Sequence, residues 1–175
     1  EERKDRIVVW SSPKLGKDFS GEFDLDSLET SEISGVQNHL LSSLIVAKRE
    51  GRLPKFGWNA TIDSEVPVQA GCSSSSALLV AWIAAMQRLS GHITTAIELA
   101  GQAFNAEVSY YDAPGGNMDQ IACSVGGSLR VDPNEKDGYK KLGNSSFDLV
   151  LGDSNTPKDT IGILSRCKFD RLDIL

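Results

Sequence analysis

The sequence predicts an α/β or α+β fold in one domain, on three observations. The runs "RIVVW" (6–10) and "GEFDLDSL" (21–28) have the look of short strands, the second alternating Phe23, Leu25 and Leu28 with acids. Val36, Leu40, Leu41, Leu44 and Ala47 recur instead at helical spacing. The stretch "ALLVAWIAAM" is apolar nearly all round, as in a helix covered on most sides.

Taken in order, residues 6–10 form a strand and 21–28 a half-buried strand running into a turn. A helix spans 35–50, with Gly51 as its stop. "WNATIDSEVP" sets Trp58, Ala60 and Ile62 on one side, as a strand does. A buried helix follows from Ser74 to Leu89, broken by "GH", and Thr94 or Thr95 caps another that runs to about Tyr110. "YDAPGGN" is a loop, with Asp112 in an Asx-type turn. "IACSVGG", "SLRVD" and "FDLVLGDS" read as strands and "PNEKDGYKKLGNS" as a polar connection. A last helix starts near Lys158 and includes Ile161, Leu164 and Cys167. Trp10 and Trp58 read as strand packing.

Composition narrows the functional classes. Hydrophobic residues make up 40% of the 175, enough for one core, and charged residues 24%. A net charge of −6 argues against nonspecific nucleic-acid or anionic-membrane binding. Cys72, Cys123 and Cys167 lack a CxxC pair and suit reduced thiols, so a cytoplasmic protein is expected. Two histidines, His39 and His92, are too few for a histidine-rich metal site. No apolar run is long enough for a transmembrane helix. Oligomeric state is not written in the pattern.

The stretch "VQAGCSSSSAL" (68–78) raises three readings: a flexible linker, a helix cap, or a cradle for an anion. An apolar helix follows at once, which disfavours the linker. A helix N-terminus offers unpaired N–H groups and partial positive charge, glycine lets the backbone approach a ligand, and serine hydroxyls add donors or metal ligands. Downstream stand Glu107 and, after "YYDAPGGNM", Asp119. They are too far apart for one helix face, but the loop can return Asp119 towards Glu107. Hard oxygen ligands suit Mg²⁺, and a carboxylate beside an acceptor hydroxyl orients it and takes its proton. Taken singly, Glu107 also reads as a solvated helix residue and Asp119 as a cap.

These segments resemble a known family. "PVQAGCSSSSAL" looks like the second signature of the GHMP kinases, and "AEVSYYDAPGGNMDQ" is similar to the galactokinase branch, as is "DSNTPKDTIGIL". The resemblance is collinear from "VVW" to "SRCK". It implies a two-domain α/β kinase whose N-terminal domain, a mixed sheet packed against helices, is residues 1–175 of this chain. The implied reaction is phosphoryl transfer from ATP to a sugar hydroxyl. Gly71, Cys72, Ser73, Ser74 and Ser75 would wrap the nucleotide phosphates, and Ser75 and Glu107 would hold Mg²⁺. Asp119 would be the catalytic carboxylate, and Gly116 would lie against the sugar.

The departures shape the expectations. Gln69 stands where the family usually has glycine, Cys72 where leucine is common and Ser76 where alanine is usual. A tyrosine that galactokinases commonly carry near the sugar has no counterpart in "SNTPKDTIGIL". The family's first and third signatures are absent from these 175 residues. The chain is therefore expected to be an internal piece of a longer kinase, lacking its first strand and C-terminal domain and inactive alone. Three alternatives remain open: an ATP- and sugar-binding sensor without turnover, a kinase for another small alcohol such as mevalonate, and an α/β domain with a serine-capped helix and no ligand.

Overall fold

The computed structural model describes residues 1–15, 19–28, 38–68 and 70–143, with scattered positions beyond. Strand β1 (Ile7–Ser11) is central in a three-stranded mixed sheet. Strand β2 (Ser20–Asp24) pairs with it antiparallel and β3 (Trp58–Thr61) parallel. Val8 sits opposite Phe23 on one side and Trp58 on the other, so these three form a row on one face, and all are buried. A parallel pair needs a long crossover, and it contains helix α1 (His39–Arg49).

One close approach fixes the register of β3. A Cβ at Gly57 would overlap the backbone carbonyl and nitrogen of Ile7. Gly57 also donates its N–H to the Asp5 carbonyl at 2.7 Å and accepts from the Arg3 N–H at 2.8 Å. Glycine is required there because the atoms it meets are backbone and have nowhere to go.

Helices α2 (Ser74–Leu89), α3 (Ala96–Glu107) and α4 (Met118–Val125) complete the helical part. Helix α3 is its hub, touching α1, α2 and α4. Leu40, Leu44 and Ile45 from α1 meet Leu79, Ile83 and Met86 from α2 and Ala103 and Ala106 from α3 in one cluster with the sheet. Each large aliphatic side chain buried this way contributes about 1.5–3 kcal/mol. The small alanines of α3 let its neighbours approach closely. Trp58 packs on Trp82 with centroids 5.9 Å apart, and Trp10 stacks on Phe23.

Sequence periodicity located these elements well, with three differences. Helix α3 ends at Glu107, and Ser109–Tyr111 continue as a single 3-10 turn. "IACSV", read as strand, belongs to helix α4: the segment starts with Asp119 in its first turn, favourable to the helix dipole, and buries Gln120 and Ile121. Tertiary burial overrides the β-branched composition. Residues 139–141, read as connection, are strand β5 (Tyr139–Lys141), paired antiparallel with β4 (Leu129–Val131) as a hairpin. Two adjacent lysines hide any alternation there. The strand expected over 147–154 is not formed at its described positions: Asp148, Val150, Leu151 and Gly152 are irregular, and Val150 and Leu151 are exposed rather than packed on a sheet. Of the helix expected from Lys158, the described positions Gly162, Ile163, Arg166, Cys167 and Asp170 are helical, and Ile161 and Leu164 lie outside the described residues. Among the described residues no helix is long and apolar enough to cross a membrane.

Candidate active site

Three helix ends meet at the candidate site: the start of α2, the end of α3 and the start of α4. The chain enters α2 through two left-handed positions, Gly71 at φ 76° and Ser73 at φ 53°. For a residue with a Cβ the left-handed region costs about 1–2 kcal/mol. Ser73 and Asp112 are the two non-glycine residues at positive φ among the described residues, and each lies at a turn leading into or out of this region.

Ser73 is the N-cap of α2, and its carbonyl accepts from the Ala77 N–H at 3.0 Å. Its side chain makes no cap hydrogen bond. The expectation that a serine hydroxyl caps this helix is thus not met at the N-cap, which the left-handed backbone turns away from the usual capping geometry. The helix start presents the positive end of its dipole without a side-chain cap. Contrast α3, where Thr95 and Glu98 form a complete capping box: Thr95 N donates to Glu98 Oε2 at 2.8 Å and Glu98 N to Thr95 Oγ1 at 3.3 Å.

Glu107, the last residue of α3, is half-buried and its Oε2 accepts two hydrogen bonds. Ser76 Oγ donates at 2.7 Å and Gln120 Nε2 at 2.6 Å. Gln120 Nε2 also lies 3.3 Å from Ser76 Oγ. Ser76 and Gln120 are each only 2% exposed. The carboxylate only accepts, so the Gln120 amide must present its NH₂, and its Oε1 is left buried without a partner among the described residues. Two further bonds fix the scaffold. Ser42 Oγ donates to the Ala106 carbonyl at 2.7 Å, satisfying one of the orphan acceptors in the last turn of α3. Gln87 Nε2 donates to Gln102 Oε1 at 3.0 Å, tying α2 to α3.

Electrostatics place more groups nearby. Burial holds the His39 imidazole below its ordinary pKa, opposed in part by the Glu107 carboxylate. His39 meets Tyr111 edge-on, with ring centroids 5.8 Å apart. The Cys123 thiol is pushed up, first by burial and then by the carboxylates of Asp119 and Glu107. Cys123 therefore lies within electrostatic reach of both acids.

The loop before α4 brings that helix's first turn back to the end of α3, through the Gln120–Glu107 bond. Asp119 is half-buried in that turn, beside Gln120. Gly71 is exposed, and Cys72, Ser73, Ser74 and Ser75 are half-buried along the turn into α2. Gly116 is exposed, and a Cβ there would meet no atom within 4 Å. Among the described residues no hydrogen bond joins Ser75 to Glu107; the hydroxyl bound to that carboxylate is that of Ser76.

Ser76 and Gln120 were not singled out as site residues from the sequence, and neither was His39. For Ser76 a signal existed: it lies in phase with Leu79, Val80 and Ile83, the buried face of α2. A polar residue on that face needs an internal partner, and Glu107 is that partner. Gln120 and His39 carried no comparable mark.

The donor set suits a hard cation. Glu107 keeps Oε1 free of any hydrogen bond among the described residues, and serine hydroxyls stand at the adjoining turn. No three His, Cys, Asp or Glu residues converge among the described residues, so serine hydroxyls and phosphate oxygens would complete a Mg²⁺ shell.

The family described as GHMP kinases N terminal domain matches residues 38–127. The chain is similar to the mevalonate kinase of Thermococcus onnurineus, 26% identical over 157 residues, which cover 88% of this chain and 46% of that protein. Mevalonate kinase of Thermococcus gammatolerans is 24% identical over 166 residues, covering 93% and 48%. Among solved structures, Lactococcus lactis galactokinase complexed with galactose superposes at TM-score 0.70 and 25% identity, covering 80% of this chain and 37% of that one. Methanococcus jannaschii mevalonate kinase superposes at TM-score 0.68 and 17% identity, covering 82% and 44%, a likeness of fold alone. The chain thus spans about half the length of the curated relatives it matches.

Proposed function

We propose, for a chain that belongs to the GHMP kinases through their N-terminal domain, that the full-length protein transfers the γ-phosphate of ATP to a small-molecule hydroxyl, with a hexose-like sugar as acceptor. The observation that carries this reading is the convergence at Glu107. A half-buried carboxylate at the end of α3 is held by the first turns of both α2 and α4. That arrangement sets an uncapped helix start, suited to phosphates, beside the turn that bears Asp119.

In this reading Gly71 to Ser75 receive the nucleotide phosphates through backbone N–H groups and hydroxyls. Ser75 and Glu107 hold Mg²⁺, which when bound neutralises phosphate charge. Asp119 accepts the proton of the acceptor hydroxyl as that oxygen bonds to the γ-phosphorus. The bond from the γ-phosphorus to the β–γ bridging oxygen breaks, and its electrons leave with ADP. Gly116 keeps the acceptor side open.

The test is ATP consumption by the full-length protein across hexoses and mevalonate. Asp119→Ala should lower turnover at least about a hundredfold, the scale of a lost general base, while nucleotide binding survives. Normal turnover in that variant overturns the role of Asp119. A second reading is favoured by the curated relatives, which are named mevalonate kinases: product from mevalonate alone would replace the sugar. ATP and sugar binding with no product would make the protein a sensor.

A further inference from the structure

We infer that Ser76 and Gln120 are positioning residues that aim the Glu107 carboxylate, presenting Oε1 to the bound metal–nucleotide. The inference rests on the kinase reading above and adds to it two residues that do not touch the ligand. Both donors converge on a single oxygen, Oε2, at 2.7 and 2.6 Å. Because they come from different helices, they hold that oxygen from two sides and leave Oε1 as the oxygen without a protein donor among the described residues. A freely rotating glutamate at a helix end would lose side-chain entropy on binding a cation; here that ordering is already done. Outer hydrogen bonds of this type orient a ligand and tune its basicity.

The burial of the donors argues for a built arrangement. Ser76 and Gln120 are each 2% exposed, and a buried amide is costly unless used. The arrangement also links the anion end to the acceptor end of the site. Gln120 follows Asp119 in α4, so the bond that orients Glu107 anchors the turn carrying the proposed catalytic base. Ser76 likewise follows Ser75, the proposed metal hydroxyl. One carboxylate oxygen thereby sets the spacing of both helix starts.

The test uses full-length protein, with Mn²⁺ as the probe and EPR-detected Mn²⁺ binding in the presence of ADP as the readout. Gln120→Met keeps volume and removes both donors. It should weaken Mn²⁺ binding about tenfold, the scale of lost outer-shell partners, with metal-free ADP affinity unchanged. Ser76→Ala, a small change that preserves the helix, should weaken it about threefold, a part of that outer-shell effect. In a Glu107→Gln background both effects should vanish, because there is no carboxylate left to aim. Unchanged Mn²⁺ affinity in Gln120→Met and Ser76→Ala, while Glu107→Gln weakens it, overturns the inference and spares the kinase reading. The same holds if their losses persist undiminished in the Glu107→Gln background. If Glu107→Gln itself leaves Mn²⁺ binding unaltered, the metal site of the kinase reading fails and this inference with it.

Discussion

At the scale of single residues, the proposed acceptor-side role of Gly116 can be tested apart from stability. A Cβ added at Gly116 meets nothing within 4 Å, so Gly116→Ala should leave thermal stability unchanged. If the acceptor lies against this residue, the same change should raise the acceptor KM about tenfold, on the scale of one misplaced methyl in a fitted pocket. An unaltered acceptor KM would remove Gly116 from the site. His39 offers a second test. Its pKa is lowered in the folded protein by burial, so the unfolded chain takes up a proton first as pH falls below the ordinary histidine value. Stability should therefore decline as pH drops from about 6.5 through the lower folded value, and level off beneath it. Thermal melts of His39→Phe across that window should show a shallower decline than wild type.

Much at this scale was legible in the sequence. Glu107 and Asp119 stood out as carboxylates flanking a glycine loop, and the glycine-serine turn as a helix entry. The partner of Glu107 was not legible, because adjacent serines look alike in sequence while their helical phases differ by 100°. Burial separates Ser76 from Ser75, and burial depends on what the other helices do.

Among elements, the pairing of β1 with β3 depends on one glycine. Gly57→Ala forces a Cβ into the Ile7 backbone, and the strands must separate or shift. A loss of about 3 kcal/mol or more is expected, beyond the usual single-substitution range, visible as a large drop in denaturation midpoint. A loss below about 1 kcal/mol would mean that the strand entry relaxes freely. Element boundaries were otherwise readable where a local device sets them: the Thr95–Glu98 box starts α3 where the sequence placed a cap. The start of α4 was missed because "IACSV" carries β-branched residues, and only its packing on α2 and α3 makes it helical. Strand β4 was legible in "SLRVD", but its partner β5 was missed for the opposite reason, the hairpin being held by a local turn with little apolar pattern in its second arm.

For the whole molecule, the family is shown by the match over residues 38–127 and the fold by superposition on galactokinase and mevalonate kinase. The same family is legible in the sequence, through two motifs in order. Acceptor identity is a different matter. It depends on side chains that surround a small ligand, and the relatives matched include kinases named for two different substrates.

The candidate site is also contiguous along the chain, running from Gly71 to Gln120 through three successive helices, whereas the sheet joins β1 to β3 across the whole of α1. Structure assembled from sequence neighbours closes short loops and opens as a unit. Mg-ATP should then slow amide hydrogen exchange in α2, α3 and the first turn of α4 far more than in β1 and β2. Uniform slowing across sheet and helices would mean that the two parts open together. If the helices alone respond, nucleotide is held by a cooperative unit that can tighten around it while the sheet beneath stays as it was.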